Sequence, residues 1–529
     1  MRLAALVSAA LLAATLAPAT PAAPDPSIAV TGGLVSGAPG RDPSITTYKG
    51  IPYAAPPLGE RRWQPPAPVA PWRGVHAATA FGPSCIQNIV QERKPWTHEF
   101  MAHNEVSEDC LNLNVWTGAR VASERRPVFV YIHGGGFSEG SSAVPVYDGE
   151  GLAKKGLVVV VINYRLGVFG FLAHPELTSA SASHASGNYG LLDQVAALRW
   201  VHDNIAAFGG DPARVTIAGQ SAGGMSVHSL IASPLARGLF HRAIVESGGS
   251  TLPGVGLSLR SKTLGEAEAD GVTWMKAKGA ATLADLRALS WQKVAEPIPV
   301  AAGAPAGPPL AFRPIVDGEM LPATPAEVVA KGAHNDVPVL TGVNLDELGG
   351  IGGPSAPPTA AAFTERVKRE HGAAAEQVLA AFPAATDAQA AASQKALAKD
   401  QSLLGMYLWA RDRAKTSKTR TFIYLWDHAL PGPDAAKYGA FHTSEVPYVL
   451  NTLAMSDRPF VKADHEIADR LSSYWANFAT TGDPNGKGLP AWAPVGEKRV
   501  VMELGDHTGP VPVVSTPARD AALEAWMRR

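Results

Sequence analysis

This chain has almost no excess of charge of either sign. Among its 529 residues Lys plus Arg number 46 and Asp plus Glu 47, a net charge of −1. Without a basic surplus there is no electrostatic footprint for a nucleic-acid backbone, and no block of like charges marks a disordered tail. No internal repeat occurs, which excludes solenoid and propeller architectures. Beyond the first residues no apolar run is long enough to cross a bilayer. That first run, residues 3–16, is itself too short. It follows Arg2 and precedes Ala17-Pro18-Ala19, a small-residue cleavage site, with a second possible cut after Ala22-Ala23. Residues 1–23 therefore read as a signal peptide and residues 24–529 as one exported domain, without a membrane anchor. Cysteine is scarce too. Cys85 and Cys110 are the only two, and in an exported chain they suit either a disulfide or a pair of buried thiols. What the chain does have is apolar material, 46% hydrophobic residues against 18% charged, enough for a large core.

The chain is organised around residues 215–224. Val215 to Ala218 reads as a short buried strand, Gly219-Gln220-Ser221-Ala222-Gly223 as a sharp turn, and residues 225–232 as a helix. A serine at the apex of such a turn has strained backbone angles, so its neighbours two positions away must be small, and Gly219 and Gly223 are. The helix N-terminus behind it offers unpaired N–H groups and a positive dipole end. In a chain with 52 glycines the Gly-x-Ser-x-Gly pattern alone is weak; its flanking strand and helix strengthen it.

The rest alternates between strands and helices. Residues 28–35 and 45–53 read as antiparallel strands joined by a turn, and 56–71 as proline-dense extended chain. The segment between the cysteines is aromatic inside and polar at its edges, suited to overhang a pocket or to serve as a plain surface loop. Strands are expected at 111–116, 127–132, 157–164, 243–247, 337–342, 421–426 and 500–504, and helices at 188–208 and 467–478. The 188–208 helix should bury Leu192, Val195, Ala196, Trp200 and Ile205. This alternation argues for a mainly parallel α/β sheet. Residues 251–310 read as an inserted helical cap and 349–362 as a surface loop. The strand at 127–132 runs into His133-Gly134-Gly135-Gly136-Phe137, whose bare backbone N–H groups suit a developing oxyanion.

A serine hydroxyl needs a base, usually a histidine, which a carboxylate orients. In chain order Ser221 is followed by the strand-end pair Asp346-Glu347 and then, beyond the next strand, by His442. Together with GIPYAAPP at Gly50, SEDCLNLNVW at Ser107, HGGGF at His133, NYGLLDQVAALRWVHDNIAAFGGDP at Asn188, VTIAGQSAGG at Val215, GVNLDE at Gly342, AFHTSEVPYV at Ala440 and YWANFATTGDPN at Tyr474, this resembles the type-B carboxylesterases, the cholinesterase-like branch of the α/β-hydrolases, over nearly the whole mature chain.

The resemblance implies an α/β-hydrolase fold and hydrolysis of carboxylic esters through an acyl-enzyme. It implies Ser221 as nucleophile, Glu347 as the acid, His442 as the base, and Gly135, Gly136 and Ala222 as oxyanion donors. It also implies a Cys85–Cys110 disulfide and a reaction that uses no cofactor or metal. The preference for Glu347 over Asp346 rests on the resemblance alone. His133 and His428 are the competing histidines; His133 is expected to shape its turn. Two departures stand out. Gln220 replaces an acidic residue the family usually has before the serine, so His442 should titrate lower than in relatives with that acid. Phe100 occupies the place of the cholinesterases' cation-binding tryptophan. Both argue against a dedicated cholinesterase. Lipids, amides and bulky polyesters or toxins remain open as alternative substrates, as does a binding protein built on the same fold. The expected partner is a small-molecule ester, not nucleic acid; the oligomeric state is left open.

Overall fold

The computed structural model describes residues 27–249, 261–298, 310–347 and 358–528. The expected signal peptide, both ends of the segment read as a cap and residues 349–357 lie outside them.

Eleven strands form one sheet. Numbered along the chain they are β1 (Ala38–Pro39), β2 (Thr46–Pro52), β3 (Asn112–Thr117), β4 (Arg126–Ile132), β5 (Val158–Ile162), β6 (Gly210–Gln220), β7 (Arg242–Glu246), β8 (Val339–Asn344), β9 (Thr421–Trp426), β10 (Val500–Leu504) and β11 (Gly509–Pro512). Their order across the sheet is β11-β10-β9-β8-β7-β6-β4-β5-β3-β2-β1. From β10 to β5 every pairing is parallel; at the two edges it turns antiparallel. Strands in the middle are apolar on both faces because helices cover both. All five residues of β5, Val-Val-Val-Val-Ile, are buried, and each such side chain stabilises by about 1.5–3 kcal/mol. Family resemblance and sheet agree on the α/β-hydrolase class.

The strand order reverses direction around β4, which lies between β6 and β5. In open parallel sheets the crevice outside the carboxyl ends at such a point is where ligands bind. Gly219 of β6 pairs with Ile132 of β4, so the serine turn and the glycine triplet leave the sheet side by side.

Helix α1 (Tyr189–Asn204) continues as a short 3-10 turn, Ile205–Phe208, that ends in left-handed Gly209. Its burial is broader than a single stripe predicts. Leu191, Ala197, Leu198 and Val201 are buried with Val195 and Trp200, whereas Leu192 and Ala196 are only half-buried, because the Gly167–Phe171 helix and α2 (Ala222–Ala232) also pack on it. The described part of the cap, 261–298, holds helices Leu264–Ala277, Leu283–Ala288 and Trp291–Ala295, each with a Thr or Ser N-cap.

Three expectations need correction. Residues 28–35 are not one strand paired with 45–53: Ile28–Val30 folds back on Gly33–Ser36, which pairs with Val75–Ala77 in a separate small sheet. The cause is Gly32 at φ +104°, which lets Thr31-Gly32 close a two-residue hairpin between Val30 and Gly33. The antiparallel partner that precedes β2 in the chain is instead the two-residue β1, outside 28–35. The loop read at 349–362 gives way to helix from residue 360, Ala360–His371, capped by Thr359. Finally, helix α3 (Asp387–Arg413) has no counterpart in the sequence reading. Its half from Leu403 to Ala410 is buried all round, which erases the amphipathic period. The chain closes on α4 (Lys462–Thr481), longer at both ends than 467–478, and a helix Pro517–Met527.

Candidate active site

Ser221 ends β6 and starts α2 with φ 58° and ψ −121°, a region costly for any residue with a Cβ. Hydrogen bonds on both sides hold it: its N–H donates to the Glu246 carbonyl and its carbonyl accepts from the Met225 N–H, both at 2.9 Å. The two glycines are required as the sequence suggests. A Cβ on Gly219 would lie 2.6 Å from the Gly223 backbone, and one on Gly223 2.0 Å from the Ile132 carbonyl oxygen. Three further non-glycine residues near the site have positive φ: Phe137, Ser247 and Thr443. Strain is concentrated where strand ends meet.

Beside Ser221, Gly135 and Gly136 have φ of +105° and +63°. A Cβ on Gly135 would meet the Glu139 carbonyl at 2.1 Å. Among the described residues no acceptor takes the N–H groups of Gly135, Gly136 or Ala222, and all three residues line one cavity with Ser221 and His442. Unspent donors at a wall of polar backbone are what a developing oxyanion needs.

His442 is buried in the loop after β9. Its Nδ1 bonds Glu347 Oε2, and Glu347 Oε1 accepts from the Ser247 hydroxyl and from the Asn344 N–H at 2.8 Å. Asp346 does something else: it accepts from the Ala440 N–H at 3.0 Å and pairs with Lys395 at 2.6 Å. Adjacent acids thus separate, one holding the imidazole and one tying down the loop that carries it. Burial opposes protonation of His442, but the charge and hydrogen bond of Glu347, aided by Glu445, outweigh it and raise its pKa above the ordinary imidazole value. The Gln220 amide nitrogen lies 3.4 Å from Nδ1 and 3.2 Å from Nε2. Near-equal distances to both ring nitrogens put the amide over the ring. It fills the place of an acid without adding charge.

His133 is buried, stacks on Tyr164 at 4.5 Å and sits 2.9 Å from the Gly134 carbonyl. Burial lowers its pKa to about 4. It shapes the glycine turn, as expected. His428 is held at both nitrogens, by Asp506 at 2.6 Å and Asp464 at 2.9 Å.

Behind the pair lie two buried acids that the sequence reading did not single out. Glu445 has its pKa pushed up to about 7 by burial and by the charge of Glu347; Glu246 is pushed up to about 8 by burial and by Glu445. Trp475 donates to Glu246 at 2.7 Å, and the Asn344 side-chain amide donates to Glu445 at 2.5 Å. The signal for Glu445 and Asn344 was present, since both stand inside quoted motifs, but their burial is visible only in three dimensions.

Cys85 and Cys110 form a disulfide, with Cα atoms 5.0 Å apart, which removes the buried-thiol alternative. The segment they close does overhang the cavity: Trp96, Phe100 and Met101 line it. The cavity measures about 660 Å³, a size for a small organic ligand. Phe100 meets Phe441 edge-on at 6.1 Å. One face of Trp96 is taken by the Arg93 guanidinium, 5.7 Å from the ring centre. One candidate metal cluster occurs among the described residues, Asp427, Glu503 and His507; none of the three lines the cavity. No described helix is long and apolar enough to cross a membrane.

Residues 24–526 match the carboxylesterase family. Fumonisin B1 esterase of Sphingopyxis macrogoltabida is 36% identical over 512 residues, covering 94% of this chain and 90% of that protein. Cocaine esterase of Homo sapiens is 32% identical, covering 92% and 88%, and pyrethroid hydrolase Ces2e of Rattus norvegicus is 33% identical, covering 92% and 85%. Sheet order, serine turn and full-length similarity agree: the chain belongs to the carboxylesterase family and is a serine hydrolase of carboxylic esters with an α/β-hydrolase fold.

Proposed function

We propose that Ser221, His442 and Glu347 act as nucleophile, base and orienting acid, and that Gly135, Gly136 and Ala222 bind the oxyanion. The observation that supports this best is the division of labour around His442. Glu347 occupies Nδ1, Nε2 meets no acid and only the neutral Gln220 amide at 3.2 Å, and the ring shares a cavity with Ser221 and three unspent N–H groups. Ser221 Oγ attacks the ester carbonyl while His442 Nε2 takes its proton. The carbonyl oxygen becomes an oxyanion among the three N–H groups, each worth about 2.7–4 kcal/mol in the transition state. His442 then gives the proton to the leaving alcohol as the C–O bond breaks, and an acyl-Ser221 ester remains. Water, deprotonated by the same nitrogen, attacks that ester and releases the acid. The substrate is a small-molecule ester. With Phe100 in the place of the cation-binding tryptophan and Gln220 uncharged, quaternary ammonium esters are not favoured. The test is active-site labelling: an organophosphate should form one adduct on Ser221 and abolish ester hydrolysis. An adduct elsewhere with activity lost, or retained hydrolysis in Ser221→Ala, overturns the assignment.

The family match starting at residue 24 and the disulfide support a removed leader, residues 1–23, and an exported single-domain protein, residues 24–529. N-terminal sequencing of the protein recovered outside the cytoplasm should begin within a few residues of position 24; an intact Met1 there counts against it.

A further inference from the structure

Three cations stand on the wall of the cavity, and two of them already have acidic partners. Arg93 pairs with Glu139, and Lys94 with Asp434 at 2.6 Å. The third, Arg313, lines the same cavity as Ser221 and His442. It has no ion pair and no hydrogen bond among the described residues. It is half-buried, and burial alone lowers its pKa, with no neighbouring carboxylate acting against that. Glu139 is the one acid among the described residues on the cavity wall, and Arg93 has taken it.

The backbone that presents Arg313 is fixed on both sides. Phe312 packs edge-on against Trp274 at 5.8 Å. Ile315 gives its N–H to the Asn188 side chain and takes that side chain's amide on its carbonyl, at 3.0 and 2.9 Å. The Val316 N–H donates to the Lys262 carbonyl at 2.9 Å. The guanidinium is thus held out from a braced segment, which reduces the ordering cost of a contact made on binding.

A guanidinium partly withdrawn from water and left unpaired is unfavourable unless something that binds there pairs with it. Its planar fork matches a carboxylate through two parallel N–H···O bonds. We propose that Arg313 binds a carboxylate on the substrate, so that the preferred esters carry a second, ionised carboxyl group, as half-esters of dicarboxylic acids do. This rests on the ester-hydrolase reading of the cavity and narrows it to a class of substrate.

The test compares three esters of similar length on the full chain. Monoethyl glutarate carries the charge on the acyl side, 3-acetoxypropanoate carries it on the alcohol side, and ethyl pentanoate carries none. Release of acid is followed by titration for the wild type and for Arg313→Gln, Arg313→Lys and Arg313→Glu. The quantity read is the ratio of kcat/KM for a charged ester to that for the neutral one; as a ratio on one sample, it does not depend on the fraction of variant that folds. The ratio should fall roughly 10- to 100-fold in Arg313→Gln, recover in part in Arg313→Lys, and fall furthest in Arg313→Glu. The charged ester that loses most tells which side of the scissile bond faces the arginine. A ratio that stays within threefold in all three variants overturns the proposal while leaving ester hydrolysis intact. Wild-type protein that cleaves none of the three, with Ser221→Ala behaving the same, overturns the reading beneath it.

Discussion

Two imidazoles follow β9 and both touch carboxylates, yet they sit in opposite circumstances. His428 has an acid at each nitrogen. Tyr448 donates to the same Asp464 at 2.7 Å, and the Val461 N–H does so at 2.8 Å, so this cluster pins the start of α4 to the end of β9. His442 has one acid, on Nδ1, and its ring opens to the cavity that holds Ser221. A histidine beside a carboxylate is therefore not by itself a catalytic pair. What distinguishes the two is a nitrogen that meets no acid, on a ring already oriented, in a cavity shared with a serine and a set of unpaired donors.

The comparison is broken most directly by deleting each ring. His442→Gln and Ser221→Ala should each lower kcat/KM on a short ester by about 10⁴-fold or more. His428→Asn should cost less than tenfold and show instead as a lower Tm, since it leaves Asp464 and Asp506 without their shared partner. Equal losses at both histidines would end the distinction. The next largest effect separates the neighbouring acids: Glu347→Gln should lose about 10²- to 10⁴-fold in kcat, whereas Asp346→Asn, which loosens the loop without touching the ring, should lose under tenfold.

A smaller effect lies in the pH profile. A base must be neutral to work, and the pKa of His442, the base under the proposed assignment, is raised by Glu347 and Glu445 against burial. Activity should therefore fall off on the acid side from above the ordinary imidazole value. Glu445→Gln removes one of the raising charges and should move that limb down; Gln220→Glu adds one over the ring and should move it up. A limb that moves in neither variant would mean that the charges behind the ring do not reach it. The smallest effect concerns stability. Glu246 and Glu445 have folded-state values of about 8 and about 7, above those of free carboxylates. Their contribution is present below the unfolded value and is lost as pH rises through the folded ones. Tm should decline from about pH 5 to pH 8, and less steeply in Glu246→Gln; a parallel decline in both proteins would assign the loss elsewhere.

Much of the fold is legible along the chain because the parallel strands are buried on both faces. An uninterrupted run such as Val158–Ile162 has one reading. Helix α3 has none, because α3 is half surface and half core and so shows no period. The hairpin at Gly32 was legible in principle, and a longer run of strand residues masked it. In the site, the serine turn and the glycine triplet announce themselves through backbone geometry that only glycine tolerates. The brace behind them does not. Ser247, Asn344 and Glu445 are ordinary polar residues until the sheet brings the ends of β7 and β8 and the His442 loop together.

By itself, then, the sequence determined the elements and the residue types that chemistry demands at each strand end: a serine between glycines, bare N–H groups, an acid pair and a histidine. These are local requirements, written within a few residues. Tertiary structure decided what the residue types left open: which acid of the adjacent pair faces the imidazole, which histidine keeps a nitrogen clear of any acid, and which cation on the cavity wall stays unpaired. Each of those depends on what a side chain meets from distant elements, and burial in a low-dielectric interior makes each such meeting, or its absence, costly enough to matter.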